Sequence, residues 1–234
     1  MDLTQLKYLN ALNLLISAKI NALQKIAAAF NGNFERAWHA SGLKAFLPSD
    51  APGKTSVDPE KEWQKLQKEN IEIVTHFDPA FPELLRHITD PPFLLYVKGN
   101  KKALEGNCFA VVGTRALTEY GRRVVPLIVE PLAKAGLTIV SGLAMGIDGL
   151  AHQAAVKMDK PTIAVLGAGL SNDAIVLQNR KLAKEILQKN GAIITEYPLG
   201  VSGSLYSFLS RISLQPRFSA HRLQLKGSAP ILRD

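Results

Sequence analysis

The residues best suited to do chemistry begin at Gly113-Thr114-Arg115, where a cation follows a glycine at the end of the apolar run Cys108–Val112. Glycine lets a ligand approach the backbone and leaves N–H groups free to point outward. The Arg115 guanidinium offers a planar fork of donors that suits a phosphate. A helical stretch follows, and a helix N-terminus favours an anion. Arg122 and Arg123 stand one or two turns further on. Two more loops are rich in small residues, Ser141-Gly142-Leu143-Ala144-Met145-Gly146-Ile147-Asp148 and Gly167-Ala168-Gly169, and Glu196-Tyr197-Pro198 forms a fourth. The combination describes a phosphate pocket. Tight strand–helix turns or a nucleotide cofactor site need small residues at the same places. The dinucleotide pattern is broken, however. Gly113 to Gly121 is not G-x-G-x-x-G, the second strand ends in Val140-Ser141-Gly142 where the pattern needs an acidic residue, and Asn172 stands where a third glycine would follow Gly169.

Other groups carry weaker signals. Asp148 and His152 lie four apart on one helix face, as two metal ligands or an acid–base pair would. No third ligand is near in sequence, so Asp148 is expected to cap its helix and accept a hydrogen bond from His152. Asn179-Arg180-Lys181 opens a helix with two cations, against the helix dipole, which points to an anionic partner or a solvated helix end. Tyr120, Tyr197, Tyr206 and Phe208 have faces on which bases could stack, although aromatics near strand ends also serve as packing. Cys108, the single cysteine, sits in an apolar run and reads as core. No Ser-His-Asp ordering, paired carboxylate site or metal-ligand spacing stands out. The sequence therefore predicts no catalytic residue, no metal and no cofactor.

These loops need strands and helices to hold them. Residues 3–47 are expected to be helical, with Leu6, Leu9, Leu12 and Ile16, then Ile20, Leu23, Ile26 and Phe30, at helical spacing. Pro48–Lys54 reads as a linker. Asp58 before Pro59 marks a helix start that runs to about Asn70. Strands are predicted at Ile71–Thr75 and Leu94–Lys98, then at Cys108–Val112, Leu137–Val140, Thr162–Leu166 and Ala192–Thr195. Helices at Thr118–Ala135, Asp148–Lys157 and Asn179–Lys189 lie between the later strands. Apolar strands without alternation, joined by helices, predict a parallel sheet covered on both faces. Pro126 and Pro131 predict a kink or a later start in the helix at 118–135, since an interior proline costs about 3 kcal/mol.

The formal charge of +8 is uneven. Residues 1–100 are net neutral, while 101–200 and 201–234 each carry an excess of four cations. A basic balance of this kind favours a polyanion. No stretch approaches the 18 consecutive apolar residues of a membrane span, and the N-terminus reads as an amphipathic helix rather than a signal peptide. A lone cysteine fits a reducing cytoplasm.

Longer motifs point to a family. Val111-Val112-Gly113-Thr114-Arg115, Glu119-Tyr120-Gly121-Arg122, Ile139 to Asp148, Ala151-His152, Thr162 to Gly167, Asn179-Arg180-Lys181-Leu182 and Glu196-Tyr197-Pro198 resemble the DNA-processing protein A (DprA) signature. Phe81-Pro82-Glu83-Leu84-Leu85 and Asp90 to Tyr96 are similar to its lead-in. The likeness runs from about Phe77 to Pro198. It implies an α/β fold: a Rossmann-like sheet over 71–208, preceded by a small all-helical SAM-like domain and linker over 1–70. It also implies a non-enzymatic protein that binds single-stranded DNA, shields incoming DNA in natural transformation, helps load RecA and forms a homodimer. The nucleic-acid-binding residues carried over by motif are Gly113, Thr114, Arg115, Tyr120, Gly121, Ser141 and Gly142, with Asn179, Arg180 and Lys181 beside them.

Two departures stand out. Ala174 to Asn179 replaces the family's Tyr-Pro-x-x-Asn run, and after Phe208 the Arg-Asn-Arg continuation is missing. Residues 209–234 read as an aberrant or disordered basic tail, frameshifted or truncated, that leaves the sheet incomplete and impairs the dimer and RecA loading. The competing reading is a nucleotide-binding Rossmann enzyme of phosphoribohydrolase type, whose Pro-Gly-Gly-x-Gly-Thr loop and catalytic Glu this chain lacks. A pure interaction module feeding a recombinase is a third.

Overall fold

The computed structural model describes residues 1–16, 20–49, 51–203 and 221–225. Three helices open the chain: α1 (Leu3–Ile16), α2 (Ile20–Ala29) and α3 (Phe34–His39). Helix α4 (Pro59–Lys68) starts as its sequence predicts. The Asp58 carboxylate accepts from the N–H groups of Glu60 and Lys61, and Pro59 fills the first helical position. Strand β1 (Ile71–Thr75), the short helix α5 (Glu83–Arg86) and β2 (Leu94–Gly99) follow. The chain then alternates through β3 (Cys108–Gly113), α6 (Glu119–Lys134), β4 (Thr138–Ser141), α7 (Ile147–Lys157), β5 (Thr162–Val165), α8 (Arg180–Gln188) and β6 (Ala192–Thr195), and β7 (His221–Leu225) is the last described element. The six predicted strands β1 to β6 lie within one residue of their expected ends.

The strands form one sheet in the order β1-β2-β6-β5-β4-β3-β7. It is parallel from β6 to β7, whereas β2 runs antiparallel to both β1 and β6. Strands β4, β5 and β6 are buried at every residue, as strands covered on both faces must be. On one face, Val111 and Ile139 pack against Val125 and Val129 of α6 and Ala151 and Ala155 of α7. Further along the same face, Tyr96, Ala164 and Ile193 share a core with Leu182 and Ile186 of α8 and Leu9, Leu12 and Leu15 of α1. On the other face, Val140, Ile163, Val165 and Ile194 meet Leu85 and Leu104.

The N-terminal helices are joined to the sheet by more than apolar contact. Asn13 donates to the Tyr96 hydroxyl (3.1 Å) and to the Glu196 carbonyl (3.4 Å), and that hydroxyl donates to the Asn10 amide oxygen (2.7 Å). All three side chains are buried. Burial also pushes the Tyr96 phenol well above its usual pKa.

The helix carrying Pro126 and Pro131 runs over Glu119–Lys134 with both prolines inside it. The carbonyls left without a partner belong to the exposed residues Arg122 and Leu127, where water can satisfy them. One expectation needs correction. The tail, expected to add nothing to the sheet, supplies β7, which pairs parallel with β3 from Phe109 opposite His221 to Gly113 opposite Leu225. In His-Arg-Leu-Gln-Leu, Leu223 turns inward and packs beside Val111 and Val125, while Gln224 is exposed. This period of two was hidden among charged residues. The rest of 209–234 lies outside the described residues.

Candidate nucleic-acid interface

The carboxyl ends of β3, β4, β5 and β6 lie along one edge of the sheet, and the predicted loops leave from that edge. The strand order reverses at β3: β4, β5 and β6 run off to one side and β7 lies on the other. Ligands of open α/β sheets bind outside the carboxyl ends of the strands at such a reversal. The Gly113-Thr114-Arg115 loop emerges there.

Backbone contact shapes that loop. Gly146 has φ +83°, and a Cβ there would strike the carbonyl oxygens of Thr114 and Arg115. The next residue, Ile147, donates its N–H to the Thr114 carbonyl at 3.1 Å. The Thr114 hydroxyl accepts from the Ala116 N–H at 3.1 Å. Arg115 is exposed. Further along the edge, Gly169 lies so close to Pro198 that a Cβ would collide with the Pro198 carbonyl, and its N–H donates to the Val201 carbonyl at 2.9 Å. The loops after β3 and β4 are thus locked together, as are those after β5 and β6.

The predicted site residues divide into two groups. Gly113, Thr114, Arg115, Tyr120, Arg180 and Lys181 present accessible surface along or beside this edge. Tyr120 is 68% exposed in the first turn of α6. Arg180 pairs with Asp173 at 3.3 Å, and the exposed Lys181 lies 3.8 Å from Glu185. The other four sit inside. Gly121 is buried between α6 and α7, 3.0 Å from Ile147 if given a Cβ, and its N–H is capped by the Thr118 hydroxyl at 3.2 Å. Ser141 is fully buried and its hydroxyl donates to the Val111 carbonyl at 2.7 Å. Gly142 is buried as well. Asn179 is 7% exposed, and its amide nitrogen donates to the Leu143 and Ala144 carbonyls at 3.0 and 2.8 Å. Glu119, in the first turn of α6, sets a carboxylate at the helix end expected to attract an anion, which leaves the cations as the main attraction.

The expected Asp148–His152 hydrogen bond is not formed. Helix α7 begins at Gly146 without a side-chain cap. The His152 Nδ1–H donates to the Thr162 hydroxyl at 2.8 Å, and that hydroxyl donates to the Ile139 carbonyl at 2.6 Å. The ring thus bridges α7 to β5 and β4, and burial pushes its pKa down to about 3. Cys108 is core as expected, with its thiol pushed up to about 11 by burial. Tyr197 is buried, whereas Tyr206 and Phe208 lie outside the described residues. Sequence reading did not foresee that the apolar side chains of Met145, within the loop after β4, and Leu177, two residues before Asn179, are exposed. No pattern distinguishes an exposed loop hydrophobe from a buried one.

A cavity of about 530 Å³ lies elsewhere, between α2 and the β1–β2 end, lined by Gln24, Asn31, Phe34, Phe77 and Phe93 among others. Five strand spacings, roughly 24 Å, separate β1 from the arginine loop.

Residues 72–219 match the family described as DNA recombination-mediator protein A. This chain belongs to that family. The match extends past Pro198, where the sequence likeness was expected to end. Protein Smf of Escherichia coli (strain K12) is 41% identical over 146 residues, covering 62% of this chain and 39% of that protein. DNA processing protein DprA of Bacillus subtilis (strain 168) is 34% identical over 133 residues, covering 56% of this chain and 44% of that protein. The chain thus spans less than half the length of these relatives. The X-ray structure of DNA processing protein A from Streptococcus pneumoniae matches with a TM-score of 0.68 and 25% identity, over 96% of this chain and 78% of that one. A structure of the Helicobacter pylori protein, which gave insights into that protein's unique single-stranded DNA binding mode, matches with a TM-score of 0.57 and 29% identity, over 68% of this chain and 71% of that one. Among the described residues no helix is long and apolar enough to cross a membrane.

Proposed function

We propose that this chain is a non-enzymatic, cytoplasmic protein that binds single-stranded DNA along the carboxyl edge of its sheet, protects incoming DNA during natural transformation and helps load RecA, working as a homodimer. The observation that carries this reading is the exposed Arg115 at the end of β3. It stands where the strand order reverses, on a loop whose backbone is fixed by Gly146 and Ile147. The formal charge of +8 supports a polyanion partner.

In this reading the Gly113–Arg115 loop holds phosphates, with Arg180 and Lys181 adding cations along the same edge. Tyr120, Met145 and Leu177 offer exposed faces to unpaired bases. Gly121, Ser141, Gly142 and Asn179 contribute by shaping the edge from within. Phosphate and stacking contacts read no base edges, so binding is tolerant of sequence. Titration of labelled single-stranded and duplex oligonucleotides at two salt concentrations tests this. Single strands should bind more tightly, and more weakly at the higher salt. Salt-insensitive binding or a strong duplex preference would refute the reading.

A further inference from the structure

Asn179 is polar, 7% exposed and turned away from solvent, although it immediately precedes two cations of the proposed interface. We propose that it is a positioning residue, which fixes the interface before DNA arrives and does not itself touch DNA. The inference rests on the reading of the site given above.

The geometry is specific. The amide nitrogen of Asn179 donates to two successive carbonyls, those of Leu143 (3.0 Å) and Ala144 (2.8 Å). The Ala144 carbonyl also accepts from the Gly149 N–H at 3.0 Å. These carbonyls lie in a loop with two positive φ angles, +53° at Leu143 and +83° at Gly146. Leucine rarely holds such a conformation unless its surroundings impose it. Gly149 forms the seat for the amide, since a Cβ there would lie 3.3 Å from both the nitrogen and the oxygen of the Asn179 side chain.

The clasp connects two parts of the interface. From Asn179 the chain runs straight into Arg180 and Lys181. From Leu143 and Ala144 it runs to Gly146 and Ile147, which hold the Thr114 and Arg115 backbone. One amide therefore fixes the cations that open α8 relative to the cation that follows β3. Without it the loop samples other arrangements, and apparent affinity falls with the fraction that remains competent.

The test pairs two measurements on wild type, Asn179→Ala and Gly149→Ala. The first is amide hydrogen exchange across residues 142–149 in the DNA-free protein. The second is affinity for a fluorescein-labelled oligothymidylate, read by anisotropy at several salt concentrations. Both variants should speed exchange in that loop without DNA and weaken binding by about five- to tenfold. The slope of log affinity against log salt should stay that of wild type, because the same phosphates are contacted once DNA is bound. Should Asn179→Ala not fold, Asn179→Ser takes its place. Weaker binding with unchanged exchange means that Asn179 acts by touching DNA, and overturns the inference. So does faster exchange with unchanged affinity, or no change in either. If wild type itself binds no oligothymidylate, the reading of the site falls together with the inference. If only the variants behave otherwise than expected, the inference falls alone.

Discussion

Gly146 lies with its bare Cα against the carbonyl oxygen of Thr114, and the N–H of the adjoining Ile147 donates to that same oxygen at 3.1 Å. The loop after β4 thus serves as a template for the loop after β3, and Arg115 leaves the sheet from a backbone that has little freedom to move. In the proposed reading the phosphate site is thereby organised before its ligand arrives, which limits the ordering cost of binding.

Gly146→Ala should be destabilising. The substitution adds a Cβ at φ +83° and forces it against two carbonyl oxygens. A loss of about 1–3 kcal/mol is expected, or more if the loops must separate. Urea denaturation measures it, and a variant as stable as wild type would show that the two loops are not in contact.

Tyr96→Phe should cost about 1–3 kcal/mol, because it takes the donor from the buried Asn10 amide oxygen and leaves Asn13 with the longer bond to the Glu196 carbonyl. The same denaturation series tests this. The prediction would be wrong if the variant matched wild type.

His152 makes stability depend on pH. Its folded pKa of about 3 lies below its ordinary value of 6.5. Between those values the unfolded chain binds a proton that the folded chain excludes, so stability falls as pH drops from 6.5 towards 3 and this contribution is flat above 6.5. The slope is at most about 1.4 kcal/mol per pH unit. Lowering pH from 7 to 5 should therefore destabilise wild type by up to about 2 kcal/mol more than a folded His152→Gln variant. Equal losses in the two proteins would show that the ring is protonated in the fold.

Strand β7 covers the outer edge of β3. A chain ending at residue 219 should expose the N–H and C=O groups of Phe109–Gly113 and self-associate more readily. Sedimentation of the two chains side by side checks this. A shortened chain that stays as monodisperse as the full one would speak against the pairing.

Much of this was legible in the sequence. Strands β3 to β6 are short apolar runs between small-residue loops, and a buried parallel strand carries that signal undiluted. The Asp58–Pro59 helix start is a local device and reads locally. The direction of β2 is not local, because antiparallel pairing with both β1 and β6 is decided by contacts far apart in the chain. Strand β7 escaped notice because its alternation is brief and lies among charged residues. The Gly113–Arg115 loop was visible as a motif. The inward roles of Gly121, Ser141 and Asn179 were not, since a motif records which residues cluster near a ligand but not which of them face it. Asn179 is the clearest case: its neighbours in sequence are exposed cations, while its own partners are carbonyls some 35 positions earlier.

The central claim, that Arg115 holds phosphate of single-stranded DNA, is tested most directly by the salt dependence of oligothymidylate binding in wild type and Arg115→Ala. Loss of a charge-assisted phosphate contact should weaken binding by about 1.5–3 kcal/mol. It should also reduce the slope of log affinity against log salt by about 0.7, the single-strand value for one phosphate. A folded Arg115→Ala protein with wild-type affinity and wild-type slope would contradict the account.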